Sequence, residues 1–268
     1  MTSAVWLPAG DTGLLLDFCG FASAATDVLP DDDVRLAALR QARSLSACLA
    51  EMKEAGEIDG ITDLVPGMTS LLIHYDPLLT SAQHLKTQIS LLMSSQKNAP
   101  SSSGRRWHLP VLYGSDVGPD LEEVARRTGL SPAEVITRHL ANELEVAIMG
   151  FLPGSGYLTG VDASLSLPRR SAPRTHVPQG SVGIAMGQTT IYPLDSPGGW
   201  NLIGKMPVPL FDPARAEPIM FRPGDRVKFF QIDEAELKSF LVRMGFSQAP
   251  TVTEPGDYAV RGGIIDIY

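Results

Sequence analysis

The sequence predicts an α+β chain in two parts, a small sheet-and-helix unit followed by an all-β barrel or compact sandwich. Three observations carry this reading. The first 95 residues alternate short apolar runs with longer stretches of helical spacing, in two strand–helix–strand-like passages. Residues 94–105 (SSQKNAPSSSGR) are polar, Ser-rich and without period, which marks a linker near 96–105 between domains at 1–95 and 106–268. Beyond Glu143, short apolar runs alternate with Gly and Pro turns as far as about Phe230.

Taken in order, Gly13 to Phe18 (GLLLDF) follows the Gly10-Asp11 turn and reads as a strand. Asp31, Asp32 and Asp33 precede a run with helical spacing that includes Val34, Ala37, Ala38, Leu45, Leu49 and Met52. Three adjacent carboxylates suit the partial positive charge of a helix N-terminus better than a metal. Leu64-Val65-Pro66 and Ser70 to Tyr75 read as strands around a Pro66-Gly67 turn, and Ser81 to Met93 as a second helix. Trp107 to Tyr113 opens the next domain as a strand. Pro119 suits the first turn of a helix ending at Gly129, and Ser131 with Glu134 has capping-box spacing for a helix running to about Leu140. Asp233 to Met244 reads as one late helix.

Composition narrows the function. With 44% hydrophobic and 19% charged residues the chain has enough apolar material for real cores, and a net charge of -8 argues against a nucleic-acid surface. Cys19 and Cys48 form no CxxC pair, and no Cys/His cluster has metal-ligand spacing. No apolar run is long enough to span a bilayer, and Met1-Thr2-Ser3 opens no secretory leader, so a cytoplasmic protein is expected.

Three local patterns mislead. Residues 121–140 look like a DNA-binding helix-turn-helix, but the second helix offers only Glu134, Thr137 and Arg138 to a duplex. A helical hairpin packed on a barrel is the better reading. Gly199 to Lys205 (GWNLIGK) matches the first seven positions of a phosphate loop. The eighth is Met206 instead of Ser or Thr, and Pro207 and Pro209 prevent the helix whose amides would cradle phosphate. Ser155 and Ser181 both lack the GxSxG spacing of a hydrolase elbow.

The densest information lies in residues 150–212. Arg169, Arg170 and Arg174 bunch together, interleaved with Thr175, His176, Gln179, Ser181, Gln188, Tyr192 and Asp195 among turns fixed by Gly and Pro. This mix suits a concave polar site with cationic walls. Arginine grips a carboxylate through two parallel hydrogen bonds, so a small anionic ligand fits. Arg169, Arg174 and Gln188 are candidate donors to a polarised carbonyl, with Tyr192 and Trp200 at the wall. His139 is the best acid/base candidate by residue type.

The run Gly150-Phe151-Leu152-Pro153-Gly154, Tyr157-Leu158, Pro168-Arg169-Arg170, Pro173-Arg174, Val177-Pro178, Gly180 to Ala185, Gln188-Thr189 and Ile191-Tyr192-Pro193 through Gly199-Trp200 resembles the B-type subunits of ATP-dependent 5-oxoprolinases, also labelled allophanate hydrolase subunit 1 or KipI-like. Trp6 to Asp11, Ser70-Leu71-Leu72 with His74 to Pro77, and Tyr113-Gly114 with Gly118 to Leu121 are similar too. The resemblance reaches to about residue 230. It implies a small α+β N-terminal domain and a cyclophilin-like β-barrel, forming one part of an amide hydrolase and inactive alone. It also implies A-type and C-type subunits of the same complex and a small anionic amide substrate as partners, with ATP used by the complex and no metal in this chain. Relatives include a regulator of a sensor histidine kinase and modules of urea carboxylase. Phe151, Pro153, Tyr157, Ser181, Tyr192, Asp195 and Trp200 are the substrate contacts it implies. Departures are Ser155-Gly156 where the family has an aromatic-Pro pair, Met186-Gly187 where it has Gly-Asn, and Leu140 where it has a small polar residue.

Overall fold

A computed structural model describes residues 4–20, 32–95, 104–243, 245, 247–248, 257–261 and 264–267. The chain divides into two compact units, Met1–Ser102 and Ser103–Tyr268. All but the last two residues of the expected linker at 96–105 lie outside the described residues.

The first unit contains β1 (Val5–Pro8), β2 (Gly13–Asp17), α1 (Asp32–Glu54), β3 (Ile61–Pro66), β4 (Ser70–Tyr75) and α2 (Ala82–Ser95). The strands form one antiparallel sheet in the order β1-β2-β4-β3. Alternation in β4 buries Leu71, Ile73 and Tyr75 on one face. Ala38, Ala42, Leu45 and Leu49 of α1 recur at helical spacing and pack with them, as do Leu85 and Ile89 of α2. Each buried Leu or Ile contributes about 1.5–3 kcal/mol relative to exposure. β1 is not apparent from the sequence because it ends in Pro8; at a sheet edge the missing proline N–H costs no ladder bond.

The second unit begins with β5 (Arg106–Tyr113), followed by the hairpin of α3 (Leu121–Thr128) and α4 (Pro132–Ala141). Gly129, at φ 71°, ends α3 in the left-handed conformation. Ser131 Oγ accepts from the Glu134 amide while the Glu134 carboxylate accepts from the Ser131 amide, so the expected capping box is present. Pro119 stands before Asp120, the residue that caps α3, and so lies outside the helix where the sequence suggested its first turn.

Then come β6 (Leu144–Met149), β7 (Gly156–Thr159), β8 (Arg174–Val177), β9 (Ser181–Ala185), β10 (Gln188–Ile191), β11 (Ser196–Gly198), β12 (Asn201–Lys205) and β13 (Arg226–Gln231). Seven of the strands close a barrel in the order β10-β7-β6-β13-β5-β12-β9, while β8 and β11 pair as a separate ribbon. β13 closes the barrel by running parallel to β5, from Arg226 opposite Arg106 to Gln231 opposite Val111, and antiparallel to β6. The interior holds Val111, Val146, Leu158, Val182, Ile184, Ile191, Ile203 and Phe229. Leu121, Val124, Ala125 and Val135 of the helical hairpin join that core, so this face of the hairpin serves packing. The phosphate-loop look-alike runs into β12 as extended chain. After the barrel follow α5 (Glu234–Arg243) and a small sheet of β14 (Ser247–Gln248), β15 (Asp257–Arg261) and β16 (Ile264–Ile267). No helix among the described residues is long and apolar enough to cross a membrane.

One feature of the barrel positions the site. All five residues of β9 are buried, although only Val182 and Ile184 face the interior. The outer side of β9 is covered as well, by a second apolar cluster of Val177, Ala185, Tyr192, Trp200 and Leu202 with Tyr157 and Met186 against it.

Candidate functional site

Strand register assembles this outer face. Tyr157 of β7 lies opposite Thr190 of β10, Thr190 opposite Gly183 of β9, and Gly183 opposite Leu202 of β12. Paired residues in antiparallel strands project to the same side, so Gln188, opposite Ala185, shares that face with Tyr192 and Trp200. The rings of Tyr157 and Trp200 meet at a centroid distance of 5.8 Å. Gly198 is obligatory here, because a β-carbon would fall 2.3 Å from the Tyr192 hydroxyl. Burial pushes the Tyr192 phenol up; a hydrogen bond from the Trp200 backbone and the charges of Arg169 and Arg174 oppose that shift.

The three clustered arginines part company. Asp120, with a side chain only 5% exposed, accepts from Arg170 Nη1 at 2.8 Å and from Arg174 Nη2 at 2.7 Å on the same oxygen. Its other oxygen accepts from the Leu202 amide at 2.7 Å. The loop is held further by Arg170 N donating to Gly199 O and by Asn201 Nδ2 donating to Pro168 O. Arg169 points elsewhere: its guanidinium lies 5.6 Å from the centre of the Trp200 ring, and among the described residues it has no carboxylate partner. Gln188 is 9% exposed, and its Nε2 is buried with no hydrogen-bond partner among the described residues. The structure therefore brings Arg169, Tyr157, Tyr192, Trp200 and Gln188 to one face, and gives Arg174 to Asp120.

Of the other expected residues, Ser181 and Asp195 adjoin this group through Tyr192, and the rest lie apart from it. His139 sits in the barrel core, 1% exposed and stacked on Phe229. Thr189 Oγ1 donates to Gly183 O, so it accepts from His139 Nε2–H, which leaves Nδ1 to accept from the Tyr113 hydroxyl at 2.8 Å. Burial lowers the His139 pKa to about 4, and with both nitrogens engaged the ring is a neutral core group out of reach of a ligand. Phe151 is 65% exposed on the β6–β7 loop at φ 75°. Pro153 lines an open apolar groove with Leu152, Phe211 and Phe221. Ser181 is buried at the start of β9. Asp195 lies in a cleft of 390 Å³ beside His176, Gln179 and Lys205, with Tyr192 as one wall. Among the described residues no group of His, Cys, Asp and Glu side chains could hold a metal ion.

Asp120 is the residue that sequence reasoning missed. Its signal is the Gly118-Pro119-Asp120-Leu121 run, which carries part of the family resemblance without marking a role.

Comparison with known proteins agrees with the fold. The family model for the carboxyltransferase domain, subdomain C and D, matches residues 7–221, and a model for the UvrB interaction domain matches residues 228–268. The B-type subunit of 5-oxoprolinase from Bacillus subtilis (strain 168) is 41% identical over 192 residues, covering 68% of this chain and 80% of that protein. Among solved structures, TTHA0988 superposes with a TM-score of 0.65 at 35% identity, over 82% of this chain and 40% of its own length. The K. lactis urea amidolyase shares the fold, with a TM-score of 0.65 at 20% identity over 88% of this chain and 15% of its own. The chain thus spans less than half of TTHA0988 and a small part of the amidolyase. The chain belongs to the carboxyltransferase subdomain C and D family, alongside the B-type subunits of 5-oxoprolinase.

Proposed function

We propose that this chain is the B-type subunit of an ATP-dependent hydrolase that opens 5-oxoproline to glutamate, working with the A-type and C-type subunits and inactive by itself. The observation that carries the reading is the 41% identity to a protein named as the B-type subunit of 5-oxoprolinase. Two features of the geometry support it: among the described residues, the Arg169 guanidinium at the Trp200 ring has no carboxylate partner and the buried Gln188 Nε2 has no hydrogen-bond partner. Arg169 takes the substrate carboxylate through its planar fork, while Trp200 and Tyr157 flank the ring. Gln188 Nε2 donates to the lactam oxygen, which gains negative charge when the carbonyl is attacked. Arg170, Arg174 and Asp120 hold the loop, and His139 holds the core. ATP is consumed elsewhere in the complex, since residues 201–205 lie in a strand and form no phosphate cradle.

The test is reconstitution. The purified chain should release no glutamate from 5-oxoproline and ATP, and addition of the A-type and C-type subunits should start ATP-dependent release. Turnover by the chain alone, or none by the assembled complex, contradicts the proposal.

A further inference from the structure

The turn between β9 and β10 carries a residue that its backbone does not favour. Met186 and Gly187 link Ala185 to Gln188, which pair directly across the hairpin. Both turn residues stand at positive φ, 52° and 72°. Two-residue hairpin turns of this kind favour Asn-Gly, because a β-carbon at positive φ crowds the following carbonyl and asparagine tolerates that best. Methionine has no such tolerance. The same turn is where the chain departs from the Gly-Asn of the family it resembles.

The turn is joined to both polar groups of the aromatic face. Met186 N donates to Leu167 O at 2.6 Å, two residues before Arg169. Gln188, two residues after Met186, carries the buried Nε2 that has no partner among the described residues. The Met186 side chain packs against the cluster that holds Tyr192 and Trp200, as Tyr157 does, and is only half-buried. A half-buried side chain gains less by packing than a buried one, so contacts within the chain offset the strained turn poorly. Strained backbone of this kind collects where a ligand is met. A thioether is apolar and adaptable, and it packs well on flat surfaces.

We infer that Met186 is a specificity residue of this face. Its thioether lies against the hydrocarbon part of the ligand, so the site takes carboxylates with an apolar ring and discriminates against urea-derived rings of the same shape. The inference rests on the proposed reading of the face as the substrate site. Arg169 and Gln188 address a carboxylate and a carbonyl oxygen, which lactams and cyclic ureas share, so these two residues cannot tell them apart. Met186 can. A methylene turned against the thioether gains by leaving water, whereas an N–H there gives up water for a weak acceptor.

Calorimetric titration of the full-length chain with 5-oxoproline and with 2-oxoimidazolidine-4-carboxylate tests this. The second compound is 5-oxoproline with the methylene beside its carbonyl replaced by N–H. The wild-type chain should bind 5-oxoproline about fivefold tighter or more, the worth of one buried methylene together with one desolvated N–H. Met186→Asn should bring the two affinities within about twofold, and Met186→Leu, which keeps an apolar side chain, should retain the preference. The urea midpoint of Met186→Asn should equal or exceed that of the wild type, since asparagine suits the turn. A lowered midpoint with the preference intact marks Met186 as a packing residue and overturns the inference. Equal binding of both compounds by the wild type overturns the inference alone. Saturable binding of neither overturns the reading of the face as the substrate site, and the role of Met186 with it.

Discussion

Arg174 and Asp120 meet at 2.7 Å, and the same carboxylate oxygen takes Arg170 at 2.8 Å, so two of the three clustered arginines are committed to one buried acid. That commitment leaves Arg169 as the guanidinium available on the aromatic face. Asp120→Ala strands both arginines and the Leu202 amide. Hydrogen bonds to charged groups contribute roughly 1.5–3 kcal/mol each, so a loss on the order of 3 kcal/mol is expected in urea unfolding. Arg174→Lys keeps a single bond to Asp120 and should cost about 1 kcal/mol or less. Equal stability of Asp120→Ala and wild type refutes the loop anchor.

Stability should fall in two separate acid windows. His139 has its folded pKa lowered to about 4 from 6.5, because burial disfavours the charged ring. Between those values the unfolded state binds a proton that the folded state does not, so stability is full above 6.5 and is lost as pH falls toward 4. The loss is on the order of 3 kcal/mol. Burial alone would raise the Asp225 pKa, but donors from Trp107, Arg105 and the Arg222 amide bring it below 3.8. Its contribution is present above 3.8 and disappears only at lower pH. Urea midpoints against pH check both, and His139→Asn should flatten the upper window while lowering stability throughout.

Gly198→Ala should displace Tyr192 from beneath the Trp200 backbone, since the new methyl would land 2.3 Å from the phenolic oxygen. Overpacking of this kind typically costs about 1–3 kcal/mol. Near-ultraviolet circular dichroism should report a changed aromatic environment. An unchanged spectrum and midpoint would show that the close approach is absent.

The match to the UvrB interaction domain begins at residue 228, inside the strand that closes the barrel. Cutting the chain after Asp233 keeps β13 against β5 and β6 and should leave a folded barrel. Cutting after Gly224 removes β13, opens the edges of β5 and β6 and should yield aggregates on size-exclusion chromatography. A monomeric, cooperatively folding product from the shorter cut counts against the assigned closure.

What could be read from the sequence was local. The period of α1, the alternation of β4 and the Ser131–Glu134 capping box are each written within a few residues and recur in the structure. Asp120 was opaque because its partners lie 50 and 54 residues away, and only barrel closure brings them together. His139 misled for the same reason. Its residue type suggests proton transfer, but its burial is set by Tyr113, Thr189 and Phe229, which come from three separate barrel strands. The grouping of Arg169 with Trp200 was legible, because both lie in the segment dense with turns and hydrogen-bonding groups.

The measurement that tests the site most directly is kcat/KM for 5-oxoproline in the reconstituted complex carrying Arg169→Lys. Lysine keeps the charge but lacks the paired planar donors. Loss of one charge-assisted hydrogen bond predicts a fall of about tenfold or more, with the melting temperature of the isolated chain unchanged. An unaltered kcat/KM, in a variant that still assembles with its A-type and C-type partners, would contradict the placement of the substrate carboxylate on Arg169.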